Sequence, residues 1–160
     1  MRTVYLETTI VSYYVSRPSR DLVIAARQEL TREWWETKRD RYRLCISPLV
    51  TDEAGRGDPD MAAKRMKLLS IVETLQPASE IEPLAERIKA ALGIPDEKEA
   101  DALHLAFAVH HRVDYLLTWN CAHLANPATE RALADFVRAD DLWLPIICTP
   151  ENMIEEEVVP

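Results

Sequence analysis

The sequence predicts an α/β domain: a three-layer α/β/α sandwich around a central parallel sheet of about five strands. Three observations point there. Short apolar runs of strand length recur along the 160 residues. Stretches with helical periodicity lie between them, the alternation that marks βαβ units. The chain is long enough to bury one core, and no internal repeat, linker or low-complexity segment divides it.

Taken in order, the expected strands are Thr3–Leu6, Arg43–Ile46, 74–76, 115–118 and 145–148. After the first, Leu22, Ala26, Leu30 and Trp34 recur every four residues and predict a helix over 21–38, capped by Ser19 or Asp21. Ser47 can cap a helix holding Leu49, Val50 and Glu53, before Gly55 and Gly57 punctuate the chain. A helix with one basic side is expected over 58–71, and another over 79–92, ended by Gly93. The most apolar helix is expected over 96–111, with Asp96 as its N-cap and His110 and His111 at its end. A last full helix spans 127–139. The single domain is expected to cover 1–150, and 151–160 reads as an acidic tail, a short helix or a mobile end.

Composition sets outer limits. Apolar residues make up 48% of the chain and charged residues 29%, ordinary proportions for a globular domain. No apolar run approaches the length of a transmembrane helix. The N-terminal stretch is too short and polar for a signal peptide, so no membrane association and a cytoplasmic location are expected. Cys45, Cys121 and Cys148 are widely spaced with no C-x-x-C pair, and read as reduced, mostly buried thiols. The net charge of −8 argues against binding polyanions through bulk electrostatics. A cluster of acids holding a metal ion would nonetheless reverse its own local sign. Lys38, Arg39, Arg41 and Arg43 form a basic group that could meet phosphates, or simply a solvated helix end. With three glycines, the chain carries no P-loop and no dinucleotide fingerprint.

In open parallel sheets, functional groups gather beyond the carboxyl ends of the strands. The first strand is followed by Glu7, Thr8 and Thr9, the second by SPLVTDEAGRGD with Asp52 and Glu53. The fourth runs into TWNCAHLAN with Thr118, Asn120 and His123. Asp101 sits in ADALHLAFA, on a helix otherwise fit for burial. An unpaired buried carboxylate costs several kcal/mol, so Asp101 needs a partner. Its plain alternative is an acid favoured by the helix dipole, as expected for Glu97 and Glu99. Glu53 could equally be an exposed acid beside Asp52. Glu7 is not expected to cap a helix, because Glu caps poorly and Thr8 or Thr9 would serve better. His104 lies three residues after Asp101, near the same face. It reads as a satisfied core histidine, or as one that hydrogen-bonds groups supporting the acids. Trp119 reads as packing rather than base stacking.

The motifs are now in view: strand–acid–T-T, then S-P-x-V-x-x-E with a following G-D, then D-A-x-H-x-A-x-A, then L-L-T-W-N-x-x-H-L. In this order they resemble the PIN domain family, especially the VapC-type ribonuclease toxins of prokaryotic toxin–antitoxin pairs in a T-W-N subgroup. The resemblance runs from Val4 to about Pro150. It implies a PIN-like sandwich, an acid cluster binding Mg²⁺ or Mn²⁺, and metal-dependent cleavage of RNA. On this resemblance Glu7 stands where the family usually has its first Asp, Glu53 matches the second acid and Asp101 the third. Asn120 stands where many members have a fourth Asp, and Thr118 matches the hydroxyl residue before it. The implied catalytic residues are thus Glu7, Glu53, Asp101 and Asn120, with Glu7, Asp101 and Glu53 as metal ligands. Thr8, Thr118 and His104 are the supporting residues. The implied partners are an RNA substrate, a cognate antitoxin and a second copy of the chain.

The chemistry is coherent. Carboxylates a few ångströms apart repel by about 4 kcal/mol per pair at an effective dielectric near 20, a conflict that a divalent cation removes. Glu53 would hold or orient a metal-bound water, and Asn120 would position water or a phosphate oxygen. Asn120 in place of a carboxylate weakens a second cation site, so one firmly held ion is expected, with a second arriving alongside substrate. Two readings compete with the nuclease. One is a weakened PIN-like module that binds RNA or a partner without cutting, motivated by Glu7 and Asn120. The other is a metal-dependent phosphatase for a small ester. Val11, Tyr13, Tyr14, Trp34 and Trp35 could serve an interface, with core packing the commoner fate.

Overall fold

The computed structural model describes residues 1–154. The strands are β1 (Thr3–Leu6), β2 (Arg43–Ile46), β3 (Glu73–Thr74), β4 (Tyr115–Leu117) and β5 (Ile146–Cys148). All pair in parallel, in the order β3-β2-β1-β4-β5, with Val4 opposite both Leu44 and Tyr115. The chain moves outward from β1 to β3, then crosses back to β4 and β5. The order therefore reverses between β1 and β4, and sheets of this kind bind ligands in the crevice beyond that point.

The helices are α1 (Thr8–Val15), α2 (Leu22–Thr37), α3 (Pro48–Ala54), α4 (Pro59–Leu69), α5 (Ile81–Leu92), α6 (Glu99–His110), α7 (Pro127–Ala139) and α8 (Pro150–Ile154). Helices α1 to α4 pack together, with α8 against α2, and α5 packs with α6 and α7. Right-handed crossovers running in opposite directions from β1 account for two such layers, one on each face. The fold is thus the expected α/β/α sandwich with a five-stranded parallel sheet.

Local chemistry explains most boundaries. Val4, Tyr5 and Leu6 are fully buried, as a central parallel strand covered on both faces must be. Asp21 caps α2 by accepting from Ile24 N, Ser47 caps α3 through Val50 N, and Asn126 caps α7 through Thr129 N. Gly93 ends α5 in the left-handed conformation at φ 66°.

Several expectations are corrected. Helix α1 follows β1 directly, where no helix was anticipated; its β-branched residues mask helical periodicity. Asp96 is not the N-cap of α6. It begins a 3₁₀ turn, Asp96–Lys98, and its carboxylate pairs with Lys89 at 2.5 Å. Strand β3 is shorter than expected and ends at Thr74. Met153 in α8 is buried against the core; residues 155–160 of the expected tail lie outside the described residues. Trp34, Trp35 and Val11 are buried in the core, with Tyr13 and Tyr14 packed against it. No helix among the described residues is long and apolar enough to cross a membrane.

Candidate active site

Glu7 closes β1, its backbone N–H donating to Leu117 O at 3.0 Å. It is also the N-cap of α1, against the sequence expectation. Its Oε1 accepts from Thr9 N at 3.1 Å, from Thr9 Oγ1 at 2.5 Å and from Thr118 Oγ1 at 2.7 Å. Glutamate caps poorly when its longer side chain is free; here two threonine hydroxyls fix the far end. Those three donors also explain how a carboxylate only 6% exposed is tolerated.

Thr118 follows β4 and passes the network on. Its Oγ1 accepts from Asn120 N at 2.9 Å, and Asn120 Nδ2 donates to Asp101 Oδ1 at 3.2 Å. Asn120 Oδ1 in turn accepts from His123 N at 3.0 Å. Both ends of the amide are therefore engaged, and Asn120 serves Asp101 as a neutral donor where a carboxylate would have repelled it. Asp101 lies in the first turn of α6, and its Oδ2 is buried without a hydrogen-bond partner. Burial pushes its carboxyl above the usual range, opposed by His104, His123, Lys98 and Asn120.

Glu53 sits near the end of α3. Its Oε1 accepts from Thr8 Oγ1 at 2.7 Å and from His104 Nε2 at 2.8 Å. Burial alone would raise this carboxyl; the hydrogen bonds from His104 and the Thr8 hydroxyl, with the nearby Arg56, outweigh it and hold the group below its ordinary value. His104 is buried with both nitrogens satisfied, Nδ1 lying 2.7 Å from Tyr5 Oη. Tyr5 Oη is 2.7 Å from Ser47 Oγ.

One hydrogen-bonded network thus joins Glu7, Thr118, Asn120 and Asp101, while Glu53 is bonded to Thr8, the chain neighbour of Glu7. The acids are linked through hydroxyls and an amide rather than grouped directly. Among the described residues, no cluster of three or more His, Cys, Asp or Glu side chains could hold a metal ion. The oxygen chemistry nevertheless fits a hard cation: each acid has one oxygen tied by donors, and the other oxygen of Asp101 is a buried acceptor with nothing to accept from. A groove of about 630 Å³, lined in part by Leu49, Arg56 and Leu103, opens beside Glu53.

Other candidates fall away from the site. Arg43 starts β2, at the opposite end of the sheet, where it pairs with Glu73 at 2.6 Å. Arg39 stacks over Trp35. Trp119 packs against Tyr13 and donates to Thr31 Oγ1 at 2.7 Å. Sequence reasoning missed Tyr5 and Thr9 as members of the network. For Tyr5 a signal existed: a buried strand tyrosine needs a partner for its hydroxyl.

No family model matches the chain, and no curated protein matches it. Solved structures do. A chain of VapBC2 from Rickettsia felis, determined bound to a DNA fragment from their promoter, has a TM-score of 0.58 at 15% identity, covering 92% of this chain and 98% of that one. A chain of VapBC-1 from nontypeable Haemophilus influenzae gives a TM-score of 0.49 at 16% identity, covering 93% and 98%. At such identity the first likeness shows the fold, and the architecture here is PIN-like.

Proposed function

We propose that this chain is a metal-dependent endoribonuclease that cuts RNA phosphodiester bonds, acting as the toxin of a toxin–antitoxin pair. The observation that carries the reading is Asp101 Oδ2, a buried oxygen with no donor, tied through Asn120 and Thr118 to Glu7 at the reversal of strand order. An acceptor in that position calls for a cation. Carboxylate oxygens favour Mg²⁺ or Mn²⁺ over zinc. Such an ion supplies a water of lowered pKa and stabilises charge on phosphate oxygens.

The residues divide the remaining tasks. Glu7 and Asp101 hold the cation. Thr118 and Thr9 fix one oxygen of Glu7, and Asn120 fixes one oxygen of Asp101. Glu53, anchored by Thr8 and His104, orients the attacking water. The fold likeness to a chain of VapBC2 supports an antitoxin as partner, and the sequence resemblance supports a homodimer. The test is cleavage of RNA by the purified chain with Mn²⁺. Asp101→Asn and Glu7→Gln each abolish it while circular dichroism stays unchanged; wild-type cleavage by either variant removes this mechanism.

The linked rather than grouped acids, and Asn120, favour a second reading: a PIN-like module that binds without cutting. Titration with Mn²⁺ separates the two, since that module gives no calorimetric heat. A panel of small phosphate esters beside RNA tests the phosphatase alternative.

A further inference from the structure

We infer that Tyr5 and His104 are positioning residues: a one-way hydrogen-bond relay, Ser47 to Tyr5 to His104 to Glu53, holds Glu53 in a single orientation at the candidate active site. The inference rests on the nuclease reading of that site and extends its anchor of Glu53, His104, back to Tyr5 and Ser47.

The polarity of the relay follows from donor counting. A carboxylate only accepts, so His104 Nε2 carries the hydrogen shared with Glu53 Oε1 across 2.8 Å. In the neutral ring Nδ1 is then bare and accepts from Tyr5 Oη at 2.7 Å. Tyr5 has one hydroxyl hydrogen, now spent, so Ser47 Oγ donates to Tyr5 Oη at 2.7 Å. Ser47 Oγ accepts in turn from Val50 N at 3.4 Å. With a neutral ring, each donor on this path has one assignment.

The placement is also specific. Both nitrogens of His104 meet side chains, one of them the acid at the site. Ser47 caps the start of α3 and Glu53 lies near its end, so the relay braces both ends of that helix through β1 and α6. Tyr5 is 0% exposed and His104 1%, so water does not compete for the bonds. Glu53 also lines a groove, so the acid that the relay holds borders accessible space.

The test uses the full chain labelled with ¹⁵N-histidine, the His104 signal being the one missing from His104→Gln. At neutral pH without metal, His104 is expected as the Nε2–H tautomer; the Nδ1–H tautomer overturns the relay. With Mn²⁺ and RNA, His104→Leu lowers kcat about 10–100-fold at unchanged KM. His104→Gln keeps an N–H for Glu53 and recovers most of that loss. Wild-type kcat in His104→Leu, or no recovery in His104→Gln, overturns positioning. If His104→Leu does not fold, Tyr5→Phe decides, because it removes one oxygen: a mixed tautomer signal is expected, and an unchanged one overturns the proposal. If the wild-type chain cuts no RNA, the nuclease reading fails, and the two tautomer measurements still judge the relay.

Discussion

Thr118 Oγ1 donates to Glu7 Oε1 across 2.7 Å, joining residues 111 positions apart at the carboxyl ends of β4 and β1. The same hydroxyl accepts from Asn120 N, so one oxygen connects the first acid to the segment that supports Asp101. Thr118→Val keeps the shape and deletes that oxygen. It is expected to lose about 1–3 kcal/mol of stability, from a buried carboxylate short of a donor, and about 10–100-fold in RNA cleavage. Thr118→Ser restores both. Urea denaturation and cleavage rates check this, and unchanged values in the valine variant contradict it.

Asp101 gives a pH dependence with a definite sign. Burial raises its native pKa above the ordinary 3.8, so the native state binds the proton more tightly than the unfolded chain. Stability therefore falls as pH rises from 3.8 to the raised native value, and at neutral pH the ionised group is a cost. Without metal, Asp101→Asn is expected to melt higher at pH 7, by about 1 kcal/mol or a few degrees. That gain shrinks below the window. Mn²⁺ is expected to raise the melting temperature of the wild type and not of the variant. A lower melting point for the metal-free variant at pH 7 contradicts the assignment.

Glu7→Asp tests reach. The shorter side chain keeps the charge but withdraws from Thr118 Oγ1 while remaining near Thr9 N. Cleavage is expected to fall about tenfold or more although the helix cap survives. Activity equal to wild type shows that only the carboxylate matters.

Two helix ends carry a cost unrelated to the site. Arg112 and Asp141 adopt φ 55° and 52°. Each follows the last turn of its helix, with Val113 N bonded to Ala108 O at 3.1 Å and Leu142 N to Val137 O at 2.8 Å. Glycine suits that left-handed position better than a residue with a Cβ. Asp141→Gly is expected to raise stability by about 1 kcal/mol with cleavage unchanged, measured by urea denaturation.

The cysteines differ in reactivity. Burial pushes the Cys45 thiol up to about 12, while Cys121 is partly exposed. Brief native alkylation at pH 8 is expected to modify Cys121 and spare Cys45; mass spectrometry of the digested chain reads the outcome.

Strand positions, most helix spans and the caps Asp21 and Ser47 were legible because they rest on local periodicity and on side chains bonding two or three residues away. Helix α1 was not legible, since its β-branched residues mask helical periodicity and its cap is a glutamate whose far end Thr118 holds from far off in sequence. Asp96 misled for a similar reason: its carboxylate is drawn to Lys89 of the preceding helix.

By itself the sequence determined a parallel α/β/α sandwich and which acids follow its strands, since burial pattern and strand–helix alternation are local properties. Tertiary structure alone decided what those acids do to one another. The strand order places Glu7 beside Thr118, and α6 brings His104 between Tyr5 and Glu53, residues 99 and 51 positions away. Such bonds depend on directions and distances to within a fraction of an ångström, and no spacing along the chain encodes them. That geometry leaves one oxygen of Asp101 buried and unpaired, and makes a satisfied core histidine at the same time the support of an acid.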